Sequence, residues 1–460
     1  MGIGDILMIV DLVIKNCKLV NPRGILEAGI AVDGGVIVEI ARDIHLPEGR
    51  EEVNAQGNFI LPGILDGHSH TFLPPETPES GMKAAAKGGI TTMLEMPGTQ
   101  MGCFNLEQFE KKVEIMSNSA YVDFCVHAGA ASGFPEGTLT DMWNKGATGV
   151  KFFISSAGPK WPQTFDGEVI QKFNELARCD GLALIHAEND AILRDNLKRL
   201  KAADRKDFSA HLEWRPRIAE LEAGKRMIDY LGMTGARGLI VHTSIPETAW
   251  YSARARMKGV ETYVETCPQY LYLTEEDVKE KGPWCKFAPP PRTKEDKSEI
   301  RRLLQEGWID TVATDHAPYG KDRKKEGLDD IFAAPNGMPG LETFLPLLLN
   351  GVNEGWLTLE RLSATCAENP ARMYRVYPVK GSIQPGADAD LVIVDMDRKV
   401  TLRNDDQITA CGWTPYDGMV VKGWPVMSFI RGMKVMEDDQ VLSEKGSGNF
   451  IPRMGQISSG

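Results

Sequence analysis

Four of the eight histidines sit in or at the end of short apolar runs rich in β-formers: His68 and His70 in 64–70, His186 in 182–188 and His242 in 238–244. Asp315 stands in the similar run 311–318, and Lys151 lies inside 149–155. On a strand, residues i and i+2 point the same way, so His68 and His70 present two imidazoles to one ion. A lone strand-end histidine has a bland reading as a satisfied group, and an aspartate before His316 and Pro318 can simply cap a turn. Lys151 is harder to explain that way, because burying an ammonium without a partner is costly. A protonated amine is no metal ligand. A desolvated, neutral lysine reacts with carbon dioxide to give a carbamate, an anionic two-oxygen bridge. Such a bridge suits two divalent ions about 3.5–4 Å apart. The expected set is His68 and His70 on one ion, His186 and His242 on the other, and the Lys151 carbamate between them. Asp315 would sit by the first ion and accept a proton from a bridging water, whose pKa two ions lower towards neutrality. Zinc is the expected metal; Mn, Co, Ni or Fe also suit these ligands.

The elements that must position this set follow from the pattern. Eight apolar runs, at 64–70, 91–97, 121–129, 149–155, 182–188, 238–244, 262–268 and 311–318, alternate with longer helix-like stretches such as 218–231. That alternation predicts a closed parallel barrel, whose catalytic residues lie at the C-terminal ends of the strands. Before it, Val10, Leu12 and Ile14 alternate in the strand manner, as do Ile30, Val32, Val36 and Val38 around a Gly34-Gly35 hairpin signal. After Ala371 strand-like runs return at 389–395, 419–421, 427–431 and 434–441. The expected fold is α/β: a (β/α)8 TIM barrel over 59–378, with a small β-sandwich built from 1–58 and 379–460.

Composition bounds the function. A hydrophobic fraction of 42% and a charged fraction of 25% are those of an ordinary globular chain, and 460 residues supply a large core without disulfides. The net charge of -12 argues against a nucleic-acid backbone as partner. The eight cysteines form no CxxC pair, as expected in a reducing compartment. Residues 1–14 lack a basic leader and read as the approach to a strand, and no apolar run reaches membrane-spanning length. A cytoplasmic enzyme is the expectation.

The motifs carry a resemblance. LPGILDGHSH at 61–70, AAAKGGITTMLEMP at 84–97, GATGVKFF at 146–153, IHAE at 185–188, VHTS at 241–244, ETCPQYL at 265–271, APPPR at 288–292, TDHAPY at 314–319, NGMPGLE at 336–342, ENPAR at 368–372 and KGSIQPGADADLVIVD at 380–395 span nearly the whole chain. With these it resembles the cyclic amidohydrolases: hydantoinases (dihydropyrimidinases), allantoinases and dihydroorotases. The resemblance implies the barrel, a sandwich from both termini, a binuclear centre, the lysine carbamate and a homotetramer or homodimer. It also implies hydrolysis of a cyclic amide to an N-carbamoyl acid by a metal-bridging hydroxide.

The branch signals are split. Dihydroorotases typically carry an Arg shortly after the HxH and an Asn in MPNT, both for a substrate carboxylate. This chain has His70-Thr71-Phe72 and Met96-Pro97-Gly98-Thr99, which disfavours a charged ring. Hydantoinases usually have a Tyr four residues after the carbamate lysine, where this chain has Ser155, a more allantoinase-like choice. Gln269 in ETCPQYL looks more like a hydantoinase. The shared expectation is a five-membered cyclic ureide or imide. By resemblance, Ala288 and Asn336 hold the ring's amide edge and Ser155 or Ser156 donates to the developing oxyanion. His316 is either a partner of the metal ligands or a surface group. Glu76 and Glu79 are either substrate-facing or solvated, Cys267 and Cys285 are packing residues, and the loops 71–80, 155–165 and 318–335 choose the substrate. The alternatives are a dihydroorotase-type ring hydrolase and a non-catalytic dihydropyrimidinase-like scaffold, which predicts gaps in the ligand set. A mononuclear deaminase lacks the strand-four lysine.

Overall fold

The structure is a computed structural model that describes residues 9–98, 100–156 and 163–454. The first part of the N-terminal approach, Thr99 of the MPGT motif and residues 157–162 of the loop 155–165 lie outside the described residues.

Six strands come first: β1 (Ile9–Lys15), β2 (Lys18–Asn21), β3 (Gly24–Glu27), β4 (Gly29–Asp33), β5 (Val36–Ala41) and β6 (Glu48–Asn54). β7 (Phe59–Pro62) follows and leads through Gly63 into β8 (Ile64–Ser69), the first barrel strand. The barrel continues with β9 (Ile90–Glu95), β10 (Asp123–Val126), β11 (Ala128–Gly129), β12 (Val150–Phe153), β13 (Leu182–His186), β14 (Arg237–Ile240), β15 (Thr262–Thr266) and β16 (Thr311–Val312). The chain closes with β17 (Leu391–Thr401), β18 (Val420–Ile430), β19 (Met433–Glu437) and β20 (Gln440–Val441).

The barrel strands form two parallel sheets, β10-β9-β8 and β11-β12-β13-β14-β15-β16. Only His127 separates β10 from β11, so the two make one stave, as the single run 121–129 implies. At the other seam Ser69 bridges to His316 in parallel, and the His70 N–H donates to the His316 carbonyl at 2.9 Å. The ring therefore has eight staves and is the expected (β/α)8 barrel. Val150 and Phe152 pack outward with Phe173 and Leu176 of the helix Asp166–Arg178. Lys151, between them on a strand of period two, faces the barrel interior. The helix expected at 218–231 runs Arg217–Thr234. It buries Ala219, Ala223, Met227 and Leu231 along one stripe and ends at a left-handed Gly235.

The terminal strands meet in one β unit. A four-stranded sheet, β5-β4-β1-β6, faces a seven-stranded sheet, β20-β19-β18-β17-β7-β2-β3, in which β7 pairs with β17. Leu12, Ile14, Ile30, Val32 and Ile37 from the first sheet share a core with Leu19, Ile60, Leu391, Ile393 and Phe429 from the second. Gly34 and Gly35, both at positive φ (58° and 82°), turn β4 into β5 as expected. The runs 419–421 and 427–431 fall in one long strand, because the ladder to β17 continues through Trp424 and Pro425 with a register shift on either side. Beneath the barrel, buried Lys380 reaches Asp388 and Asp390 at 2.8 Å each, and also Asp123 at the start of β10. Arg431 of the β18–β19 turn pairs with the same Asp123, so this network ties the barrel to the sandwich. The three carboxylates are close enough to hold a cation, and the Lys380 ammonium takes that place. Among the described residues no helix is long and apolar enough to cross a membrane.

Candidate metal centre

His68, at the end of β8, is completely buried. Its Nδ1 meets Glu265 Oε1 of β15 at 2.8 Å, and the Glu265 carboxylate there takes the ring N–H. The lone pair of Nε2 is thereby turned to the centre, where Asp315 Oδ1 lies 3.3 Å away and Lys151 Nζ 3.2 Å away. His186, at the end of β13, repeats the device with its nitrogens exchanged. Its Nε2 meets Glu188 Oε2 at 2.9 Å, which leaves Nδ1 facing His242 Nε2 at 2.9 Å. Two imidazoles, each held in one tautomer by a buried carboxylate, thus aim lone pairs inward. That is how metal-ligating histidines are usually oriented.

His70 Nε2 lies 3.6 Å from Asp315 Oδ1, and His68, His70 and Asp315 form a group able to hold an ion. His242 and Asp315 have positive φ, 41° and 48°. Left-handed backbone at non-glycine residues is strained and clusters at functional sites. At His242 it also breaks the alternation of β14, where Leu239 and Val241 face the interior cluster and Ile240 the outer one. The four imidazoles and Lys151 border one cleft with Asp315.

The electrostatics favour ligation. Burial pushes His68, His186 and His242 below the ordinary imidazole range, so they are neutral and can bind metal. Burial likewise pushes Lys151 down to about 8, against the pull of Asp315 and Glu265. Burial works to push Glu265 up, while the Lys151 ammonium and the His242 backbone N–H pull it back towards the anion that accepts from His68. Burial also works to raise Glu188, but Arg215 and His186 outweigh it and hold that carboxyl at about 2. Glu188 is therefore a firm anion behind His186. The donor set, neutral imidazoles with an aspartate and a readily neutralised lysine, fits divalent ions.

Of the expected substrate contacts, Ala288 and Asn336 border the cleft, and Asn336 Oδ1 is buried with no hydrogen-bond partner among the described residues. Ser156 borders it too, its N–H bonded to Asp190 Oδ1 at 2.9 Å. Ser155 lies behind, with its Oγ buried and without a partner among the described residues. Gly337 needs to be glycine: its φ is 139°, and a Cβ would stand 2.6 Å from that of Ala317. His316 is no surface group. It is completely buried, and its Nδ1 accepts from the Gly340 N–H at 3.0 Å. Glu76 is buried as well, bonded to Thr409 Oγ1, whereas Glu79 is exposed and pairs with Lys445. Cys267 and Cys285 pack in one apolar cluster, as expected.

Sequence reasoning passed over Glu265, Glu188, Arg215 and Tyr319. Glu265 had a usable signal, an acid inside an apolar strand, the same signal that marked Lys151. Arg215 and Tyr319 border the cleft from loops with no such signal.

A closed parallel barrel that gathers four imidazoles, a buried lysine and an aspartate around one cleft is the architecture of a metal-dependent barrel hydrolase. Residues 59–435 match the profile of the amidohydrolase family. The chain belongs to that family, which uses divalent metal. It is similar to the L-hydantoinase of Paenarthrobacter aurescens, 36% identical over 451 residues and covering 96% of this chain and 98% of that protein. It is also similar to the allantoinase of Rubrobacter xylanophilus, 34% identical over 448 residues and covering 96% and 97%. A solved L-hydantoinase (dihydropyrimidinase) from Arthrobacter aurescens superimposes with a TM-score of 0.94 at 36% identity, over 96% of this chain and 100% of that one.

Proposed function

We propose that this enzyme opens a five-membered cyclic ureide or imide, hydantoin- or allantoin-like, to an N-carbamoyl acid. The observation that carries the reading is the pair of carboxylate-locked imidazoles aimed at one centre with Lys151 and Asp315. His68, His70 and Asp315 would hold one ion and His186 and His242 a second, with Lys151 as a carbamate bridging both. Burial makes the neutral amine that carbon dioxide requires accessible near pH 8. Two such ions would lower the pKa of a shared water and polarise the ring carbonyl. Zinc suits the set, as do Mn, Co, Ni and Fe.

The chain's own residues do the rest. Asp315 takes the proton of the attacking water and delivers it to the ring nitrogen that leaves as the C–N bond breaks. Asn336 and Ala288 hold the ring's amide edge, and the Ser155–Ser156 pair supplies a donor to the developing oxyanion. Phe287 supplies an apolar wall. An acid-bearing ring of the dihydroorotase type is the second reading, since Arg215 borders the cleft; its salt bridge to Glu188 already engages that guanidinium. The reading includes a homo-oligomer, tetramer or dimer, and a cytoplasmic location, which the eight free cysteines support.

The test is metal content together with ring opening on hydantoin, 5-phenylhydantoin, allantoin, dihydrouracil and dihydroorotate. We expect two ions per chain, loading that depends on bicarbonate, and turnover of the hydantoins or of allantoin. Absence of metal and turnover, even with bicarbonate and divalent ions added, would sink the reading. Turnover of dihydroorotate alone would shift it to the second one.

A further inference from the structure

Two lysines are buried behind the residues that line the cleft, and neither makes an ion pair among the described residues. Lys324 is completely enclosed, and its Nζ donates to three backbone carbonyls: Lys286 at 3.2 Å, Pro335 at 3.1 Å and Gly337 at 2.9 Å. Lys286 donates to the carbonyls of Ile331, at 2.7 Å, and Ala334. An ammonium taken out of water without a carboxylate is costly, so the carbonyls that solvate it must be held in place. Two of those around Lys324 flank Asn336, one on each side. The third belongs to Lys286, next to Phe287 and Ala288, and it also accepts from the Gly337 N–H at 2.9 Å. One ammonium thus joins the two segments that supply the proposed ring contacts, 286–288 and 335–337. Between them the Asn336 Oδ1 atom is buried with no partner among the described residues, an acceptor at the cleft that a ligand donor would satisfy.

We propose that Lys324 is a positioning residue for substrate binding: through its carbonyl clamp it holds Asn336 and Ala288 where they meet the amide or imide edge of a cyclic ligand. The assignment rests on the reading above for the nature of the ligand, while the clamp can be tested without it.

The variant is Lys324→Met, which keeps the length and removes all three donors. Hydrogen exchange on the protein without substrate is measured first. Amides of 331–338 should exchange roughly tenfold faster or more, while β13 and β14 keep their protection. Unchanged exchange in 331–338 would overturn the clamp. On whichever ring the wild type opens, KM should rise about tenfold, the size of one lost charge-assisted hydrogen bond, with metal content unchanged and kcat within about threefold. In an Asn336→Ala background the same substitution should cost clearly less in KM, because part of its effect runs through Asn336 and the rest through Ala288. A full and additive penalty there would overturn the positioning role. If Lys324→Met does not fold, Lys324→Gln keeps two donors and should loosen the same segment to a smaller extent. A wild type that opens no ring refutes the functional reading, and the exchange result still decides the clamp.

Discussion

Replacing Glu265 by glutamine removes one negative charge and keeps the shape. Glu265 Oε1 accepts from His68 Nδ1 at 2.8 Å and from the His242 backbone N–H at 3.1 Å. A glutamine oxygen can accept both bonds, so the ring and the backbone turn should stay in place. What is lost is charge assistance, which makes a hydrogen bond about twice as strong as its neutral counterpart. The His68 imidazole becomes a poorer lone-pair donor at Nε2, the atom that faces Asp315 and Lys151. Substitutions of this kind weaken metal binding by about 10–100-fold, or about 1.4–2.7 kcal/mol. The loss should fall on the ion nearest His68, because His186 keeps its own anchor in Glu188. Metal-stripped wild type and variant would be titrated with zinc against a competing chelator, with circular dichroism and thermal unfolding of the stripped proteins as controls. The expected result is one weakened site, one unchanged site and an intact fold. Unchanged affinity at both sites would refute the link from Glu265 through His68 to the metal, and equal loss at both would show that Glu265 does not act through one imidazole.

Three further outcomes are expected. Asp315→Asn should lower kcat by about 10²–10⁴; a variant that keeps its metal and full activity would remove Asp315 from proton transfer. Lys380→Met should destabilise the fold by about 3–5 kcal/mol in urea unfolding, since it leaves three buried or half-buried aspartates facing each other with only Arg431, on Asp123, as counter-charge; a loss under about 1 kcal/mol would contradict the network's role. His127 is completely buried, and burial holds its imidazole at about 3 against an ordinary value of 6.5. Its folded pKa is depressed, so the unfolded chain binds the extra proton and stability falls as pH drops from 6.5 towards 3. This one residue should remove about 2 kcal/mol by pH 5. His127→Gln should flatten the slope of unfolding free energy against pH by close to one proton over that range; an unchanged slope would refute the assignment.

The barrel was legible because its strands are short, apolar and evenly spaced, and because the four histidines and Asp315 fall at or just past strand ends. Lys151 stood out since a charge in the run 149–155 has no cheap explanation. The partners that fix the histidine tautomers were not legible as partners. Glu265 joins His68 across most of the barrel sequence, and no local pattern records that proximity. Glu188 follows His186 by two residues, but its anionic state depends on Arg215, which a loop delivers. The serines show the same limit. A one-residue difference in the turn after β12 decides whether Ser155 or Ser156 borders the cleft, and it depends on backbone angles that composition does not set. Boundaries failed where punctuation misled: Gly423 and Pro425 read as a break inside what is one continuous strand.

The mixed parentage of the seven-stranded sheet has a consequence for biosynthesis. The four-stranded sheet, β5-β4-β1-β6, can form as soon as the first strands leave the ribosome. β7 can pair with β2 at once, but its other edge has to wait, because Ile60 also pairs with Ile393 and nearly the whole barrel is made in between. At roughly 5–20 residues per second, that leaves an unpaired strand edge exposed for tens of seconds. Such an edge is a template for pairing with other nascent chains. Yield of this protein in a cell should therefore depend on translation speed and on chaperones that shield the N-terminal sheet, rather than on the stability of the finished fold.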